Sequence, residues 1–255
     1  MTKQFIQNRH DQKVSVLLEG PETASKLAFV MHGLGGNKGE LHLRAVIDAF
    51  LKDSYMVVSF DTTNSFGESD GQYEDATLTG YYHDLEDVIA WASKQPWYAE
   101  PFVLAGHSFG GIVTSLFAEN YPEKVKALAP ISSVISGELT LQTPQYAPDI
   151  LAKWKRDGVL VLKRQHGGEK RLKWACMEDR LKYSLLPSTN RLTMPVLLVT
   201  GSEDQGVPPK HQQILYDKLP GPKEMHVIKG ASHMFDEVHE RDELETIVKT
   251  WAGKL

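Results

Sequence analysis

The chain has one cysteine in 255 residues, no apolar run that approaches a membrane span, no internal repeat and no low-complexity tract. A lone Cys176 permits neither an internal disulfide nor a cysteine-based metal site. It agrees with a reducing compartment, so the cytoplasm is the expected location. The stretch Met1 to Gln12 carries Lys3, Arg9 and Asp11 and holds no apolar segment of signal-peptide length. Stable membrane insertion is therefore not expected.

What is present reads as an ordinary globular chain, 41% hydrophobic and 24% charged, long enough to bury a sizeable core in one α/β domain. Six short runs rich in Val, Ile, Leu and Phe are nearly continuous, the pattern of strands buried on both faces. They are Leu27 to Met31, Met56 to Phe60, Phe102 to Ala105, Ala127 to Ile131, Val196 to Thr200 and Met225 to Ile228. Stretches with helical spacing lie between them, at Leu41 to Leu51, Leu78 to Ser93, Gly110 to Asn120, His211 to Lys218 and Glu237 to Trp251. Strand and helix alternate, which predicts a mostly parallel sheet flanked by helices, with Lys3 to Ile6 and Lys13 to Leu18 as a strand pair at its edge.

The alternation breaks once. Between Ile135 and Met194 the aromatics Trp154, Trp174 and Tyr183 sit among many charges, and only Val159 to Leu162 reads as a buried strand. The expected division is a core of residues 1–134 and 195–255 with a partly helical cap insertion at 135–194. Residues 153–182 hold ten Lys or Arg against four acids, so a chain of net charge −5 contains a segment of +6. Such charge attracts an anionic substrate or surface, or it is the solvated face of cap helices whose apolar stems cover the core. The second reading is the expectation, and Trp154 and Trp174 are expected to serve packing.

Chemistry enters after the strand Phe102 to Ala105, where Gly106-His107-Ser108-Phe109-Gly110-Gly111 precedes the amphipathic run Ile112, Val113, Leu116, Phe117. This is GxSxG between a strand and a helix, the setting in which a sharp turn projects a serine hydroxyl from the sheet edge. His107 is adjacent in sequence, so its side chain should point away from Ser108. A serine nucleophile needs a histidine to take its proton and an acid to orient that histidine. After Val196 to Thr200, the turn Gly201-Ser202-Glu203-Asp204 offers two carboxyls, Asp204 and its local alternative Glu203, between which position after the strand does not choose. After Met225 to Ile228, Gly230-Ala231-Ser232-His233 presents a histidine on a loop of small residues, whereas His226 lies in the strand and His239 in the final helix.

An oxyanion needs waiting donors, and the loop His32-Gly33-Leu34-Gly35-Gly36-Asn37 after Leu27 to Met31 lets backbone amides approach a ligand. The N–H groups of Leu34 and Phe109 are the expected pair. The loop lacks the spacings of phosphate-binding and dinucleotide-binding turns, so no nucleotide is expected.

With these residues placed, the chain resembles the α/β-hydrolase superfamily, in particular small serine esterases similar to bacterial cinnamoyl (feruloyl) esterases and monoglyceride-lipase-like hydrolases. The resemblance rests on HGLGG at 32–36, FGESDG at 66–71, GHSFGG at 106–111, GSEDQGVP at 201–208 and GASHMF at 230–235. It departs at Asp61 to Ser69, where relatives have a shorter loop with Arg after the Asp. The resemblance implies a carboxylic ester hydrolase with Ser108 as nucleophile, His233 as base, Asp204 as acid and the amides of Leu34 and Phe109 as oxyanion donors. It implies no metal and no organic cofactor. The expected partner is a small-molecule ester, without nucleic acid, and a homodimer is the assembly left open. The same residues also suit a thioesterase, an amidase or a C–C bond hydrolase, and a catalytically silent binding protein is the alternative from another class.

Overall fold

Leu27–Met31 and Met56–Phe60 are unbroken apolar pentads, and in the computed structural model, which describes residues 1–163 and 169–255, both are strands buried along their whole length. In chain order the elements are β1 (Thr2–Gln7), β2 (Lys13–Glu19), β3 (Leu27–Met31), α1 (Leu41–Lys52), β4 (Met56–Phe60), α2 (Leu78–Ala92), β5 (Phe102–His107), α3 (Phe109–Asn120) and β6 (Val125–Ile131). They continue with α4 (Gly137–Thr140), α5 (Pro148–Asp157), β7 (Val159–Lys163), β8 (Glu169–Lys173), α6 (Ala175–Arg180), β9 (Val196–Gly201), α7 (Pro209–Lys218), β10 (Lys223–Ile228) and α8 (Val238–Ala252). Eight strands form one sheet in the order β1-β2-β4-β3-β5-β6-β9-β10, antiparallel at the β1–β2 and β2–β4 pairs and parallel elsewhere.

The two-residue period of a strand explains how apolar runs serve both faces. Leu27, Phe29 and Met31 of β3 enter one apolar cluster, while Ala28 and Val30 enter the other. Phe102 and Leu104 of β5 divide from Val103 and Ala105 in the same way. On the first face the sheet packs against Leu85 and Val88 of α2 and Ile112 and Phe117 of α3; on the second it packs against Val46 and Phe50 of α1 and Leu244 and Trp251 of α8. Among the described residues no helix is long and apolar enough to cross a membrane.

Residues between β6 and β9 do not extend the large sheet. They form α4, α5, α6 and a separate antiparallel hairpin of β7 and β8. The run Val159 to Leu162, expected as a buried strand, is a strand of that hairpin with Val161 and Leu162 exposed. Continuity of apolar residues signals burial on both faces only when both faces are covered, and here they are not. Trp154 is fully buried, donating its indole N–H to the Leu172 carbonyl, and joins the first cluster, so it serves packing. Much of the basic charge is surface, as expected: Arg171 and Lys173 pair with Glu74, Lys173 also with Asp75, Lys182 with Asp179 and Arg156 with Asp157. Arg164 and the side chain of Lys163 lie outside the described residues. Arg180 departs from the expectation, because it is only 3% exposed.

Glu119 closes the last turn of α3, where the negative end of the helix dipole opposes a carboxylate. It is buried, its Oε1 has no hydrogen-bond partner, and burial pushes its carboxyl up to about 8. Since the folded value lies above the unfolded one, the contribution of Glu119 to stability is fully present below about pH 4.5 and is lost as pH rises towards 8. Glu119→Gln should therefore raise the unfolding free energy at pH 9 by up to about 5 kcal/mol and leave it nearly unchanged at pH 4. Urea titrations at the two pH values check this, and an equal effect at both would contradict the assignment.

Candidate active site

Parallel pairing brings the carboxyl ends of neighbouring strands level. Met31 pairs with Phe60 and Gly106, His107 with Ile131, and Gly201 with Ile228. The loops after β3, β5, β9 and β10 consequently leave the sheet along one edge, the side on which α/β folds assemble their sites.

Ser108 sits between β5 and α3 at φ 54° and ψ −111°, a conformation disfavoured for any residue with a side chain. The turn is held by Ser108 N–H donating to the Ile131 carbonyl (2.9 Å) and by Val134 N–H donating to the Ser108 carbonyl (3.1 Å). It closes only because its flanks lack side chains. A Cβ on Gly106 would stand 2.3 Å from the Gly110 carbonyl oxygen, and one on Gly110 would stand 2.4 Å from that of His32.

The half-buried imidazole of His233 joins the two remaining groups. Its Nε2 lies 2.9 Å from Ser108 Oγ and its Nδ1 lies 2.8 Å from Asp204 Oδ2. A carboxylate only accepts, so Nδ1 carries the proton and Nε2 is left to accept from the serine hydroxyl. Asp204 is 3% exposed, and its Oδ1 accepts the Val207 N–H at 2.7 Å. Glu203 is exposed, so it is Asp204 that meets the histidine. His107 turns away from Ser108, as adjacency in sequence requires. It is buried, donates Nε2–H to the His233 carbonyl (2.9 Å), and its ring lies 4.7 Å from that of His233 and 4.1 Å from that of His42. Burial drives the imidazoles of His107 and His42 well down, the latter to about 3, so the packing behind His233 stays neutral.

The loop after β3 is fixed from beneath by His32. Its Nε2 accepts the Thr62 N–H (3.0 Å), which leaves Nδ1–H to donate to the Gly33 carbonyl (2.7 Å). Gly35 N–H donates to the Tyr81 hydroxyl (3.0 Å). Among the described residues the amides of Leu34 and Phe109 donate to no backbone or side-chain acceptor. Both residues line a cavity of about 330 Å³ together with Ser108 and His233. Asp61, the start of the divergent loop, is buried; Lys38 N–H, Lys38 Nζ and Glu68 N–H all donate to it.

Sequence reasoning missed Lys38 and three cavity residues. Glu40 lines the cavity, and burial pushes its carboxyl up to about 7. Tyr146 and Arg180 line it from the segment between β6 and β9. Glu40 sits just beyond the HGLGG motif, which is the one signal available; nothing around Arg180 separated it from its nine basic neighbours.

Two family models match more than half of the chain: the X-Pro dipeptidyl-peptidase (S15 family) over residues 6–143, and the PhoPQ-activated pathogenicity-related protein over residues 87–254. Among solved structures, Est1E from Butyrivibrio proteoclasticus with ferulic acid bound superposes with a TM-score of 0.83 at 23% identity, covering 98% of each chain. The mouse alpha/beta hydrolase domain-containing protein 10 gives 0.80 at 20% identity, over 100% of this chain and 99% of that one. In sequence, the chain is 26% identical over 165 residues to the mitochondrial palmitoyl-protein thioesterase ABHD10 of Bos taurus, covering 64% of this chain and 52% of that protein, about half its length.

The elbow glycines provide a test. Gly106→Ala should lower the unfolding free energy by about 1–3 kcal/mol or more, because the added methyl meets backbone that cannot yield; an unchanged denaturation midpoint would show that the turn is looser than described. With its eight-stranded sheet, helices on both faces and family matches that both span the Ser108 turn, the chain belongs to the α/β-hydrolase superfamily, in which the S15 peptidase family that covers its first half also lies.

Proposed function

We propose that the protein is a serine hydrolase that cleaves carboxylic esters through an acyl-enzyme, with Ser108 as nucleophile, His233 as general base and acid, and Asp204 as the orienting carboxylate. The observation that carries this reading is the single imidazole within hydrogen-bond distance of both the strained serine and the buried aspartate.

The steps follow from the proton path. His233 Nε2 takes the Ser108 proton as Oγ attacks the ester carbonyl, and Asp204 stabilises the imidazolium that results. The charge that develops on the carbonyl oxygen is received by the Leu34 and Phe109 amides, helped by the positive end of α3. On collapse the alcohol leaves with the proton from His233. Water then repeats the sequence against the acyl-enzyme and frees the acid.

The choice of an acyl substrate is supported by the carboxylic acid bound to Est1E and by the thioester activity in the name of the bovine relative. The latter also favours a second reading, a thioesterase using the same residues. Reading residues 135–194 as a cap over a core of 1–134 and 195–255 is supported by Leu160, Leu162, Lys170 and Leu172, which all stand on one face of the β7–β8 hairpin and line the cavity.

Ser108→Ala should reduce kcat/KM on a p-nitrophenyl ester by at least about a thousandfold with the fold intact. Near-normal turnover would remove Ser108 from the mechanism. Matched acyl esters, thioesters and anilides compared on the wild type decide between the two readings: esters should be cleaved fastest, and a dominant thioester rate would favour the second.

A further inference from the structure

Among the described basic side chains between 153 and 182, Arg180 is the one buried against the active-site cavity. It ends α6 with 3% exposure. One Nη donates to the Tyr146 hydroxyl (3.0 Å), and the other lies 3.9 Å from Cys176 Sγ. Among the described residues no carboxylate pairs with it, and its Nε has no hydrogen-bond partner. Its nearest acidic neighbour in sequence, Asp179, is engaged elsewhere, by Thr79 and Lys182.

A guanidinium stays charged under all physiological conditions, and a buried charge without a counter-ion is strongly unfavourable. Here two ring faces offset part of that cost: the guanidinium carbon lies 4.8 Å from the centroid of Phe109 and 5.5 Å from that of Tyr146. The rings hold the fork in place and leave its remaining donors unused. Phe109 is the residue next to the nucleophile, so the charge is anchored to the wall of the same cavity.

The rest of the lining agrees. Lys170 contributes a second cation, and the single carboxyl lining the cavity among the described residues is Glu40, whose negative charge burial opposes. The cavity is therefore poised to accept an anion from outside the chain.

We propose that Arg180 is a specificity residue that binds a carboxylate carried by the substrate, so that the preferred substrates are half-esters of dicarboxylic acids or esters of similar acidic molecules. This rests on the hydrolase reading of Ser108. A guanidinium matches a carboxylate in shape as well as charge, because its N–H groups present a planar fork. The contact differs in kind from steering by the exposed lysines and arginines, since a buried pair is screened by salt far less than surface charge.

The test compares monomethyl adipate and suberate with their dimethyl esters by pH-stat, on the wild type, Arg180→Met and Arg180→Lys. The wild type should favour the half-ester by about ten- to a hundredfold in kcat/KM, largely through KM. In Arg180→Met that ratio should fall to near one, and Arg180→Lys should restore part of it. Turnover of the two esters by the wild type keeps the two readings apart. If neither is cleaved, the hydrolase reading fails; if both are cleaved without a half-ester preference, the Arg180 inference fails. If Arg180→Met does not fold, the wild-type ratio at low and high salt, set against that of Arg180→Lys, decides the matter. A preference that survives in Arg180→Met, or that vanishes in high salt, would assign the selectivity to surface charge instead.

Discussion

One imidazole has to satisfy two partners whose loops are 125 and 29 residues away from it in sequence. Much of the architecture can be understood as what that requires. The parallel register levels the ends of β5, β9 and β10, so that a serine, an aspartate and a histidine emerge side by side. The strain at Ser108 is stored in a turn that glycines alone permit. The His233 loop is steadied by His107, which is kept neutral by burial and bonded to the His233 backbone rather than to the serine.

The parts of this arrangement that repeat a local pattern were legible in the sequence. Buried strands announced themselves because β3 and β4 are covered on both faces, and their predicted limits coincide with the observed ones. Ser108 and His233 followed from asking which polar residues come on the loops after the strands, whereas the choice of Asp204 over Glu203 came from the family resemblance. The same logic misread Val159 to Leu162, since an apolar run cannot report that one of its faces looks into a cavity and the other into solvent. Arg180 was equally opaque. Its burial is set by Phe109 and Tyr146, which are 71 and 34 residues distant and meet it only in the folded chain.

Charge in and around the site follows one scheme. Behind His233, burial keeps His42 and His107 neutral, and Asp204 is the acid that meets its Nδ1. Below the glycine-rich loop, Lys38 balances Asp61 and Glu68, so a buried acid is tied to the loop that carries Leu34. Across the cavity, Arg180 is left unbalanced. An electrostatically finished core beside one unfinished wall is what a site needs if its polarity is completed by the molecule it binds.

The central claim is that Ser108 is activated by His233, and an active-site-directed fluorophosphonate followed by peptide mapping addresses it most directly. The account predicts one modified residue, Ser108, and loss of labelling in a folded His233→Ala variant. Labelling at another residue, or undiminished labelling of Ser108 without the imidazole, would contradict it.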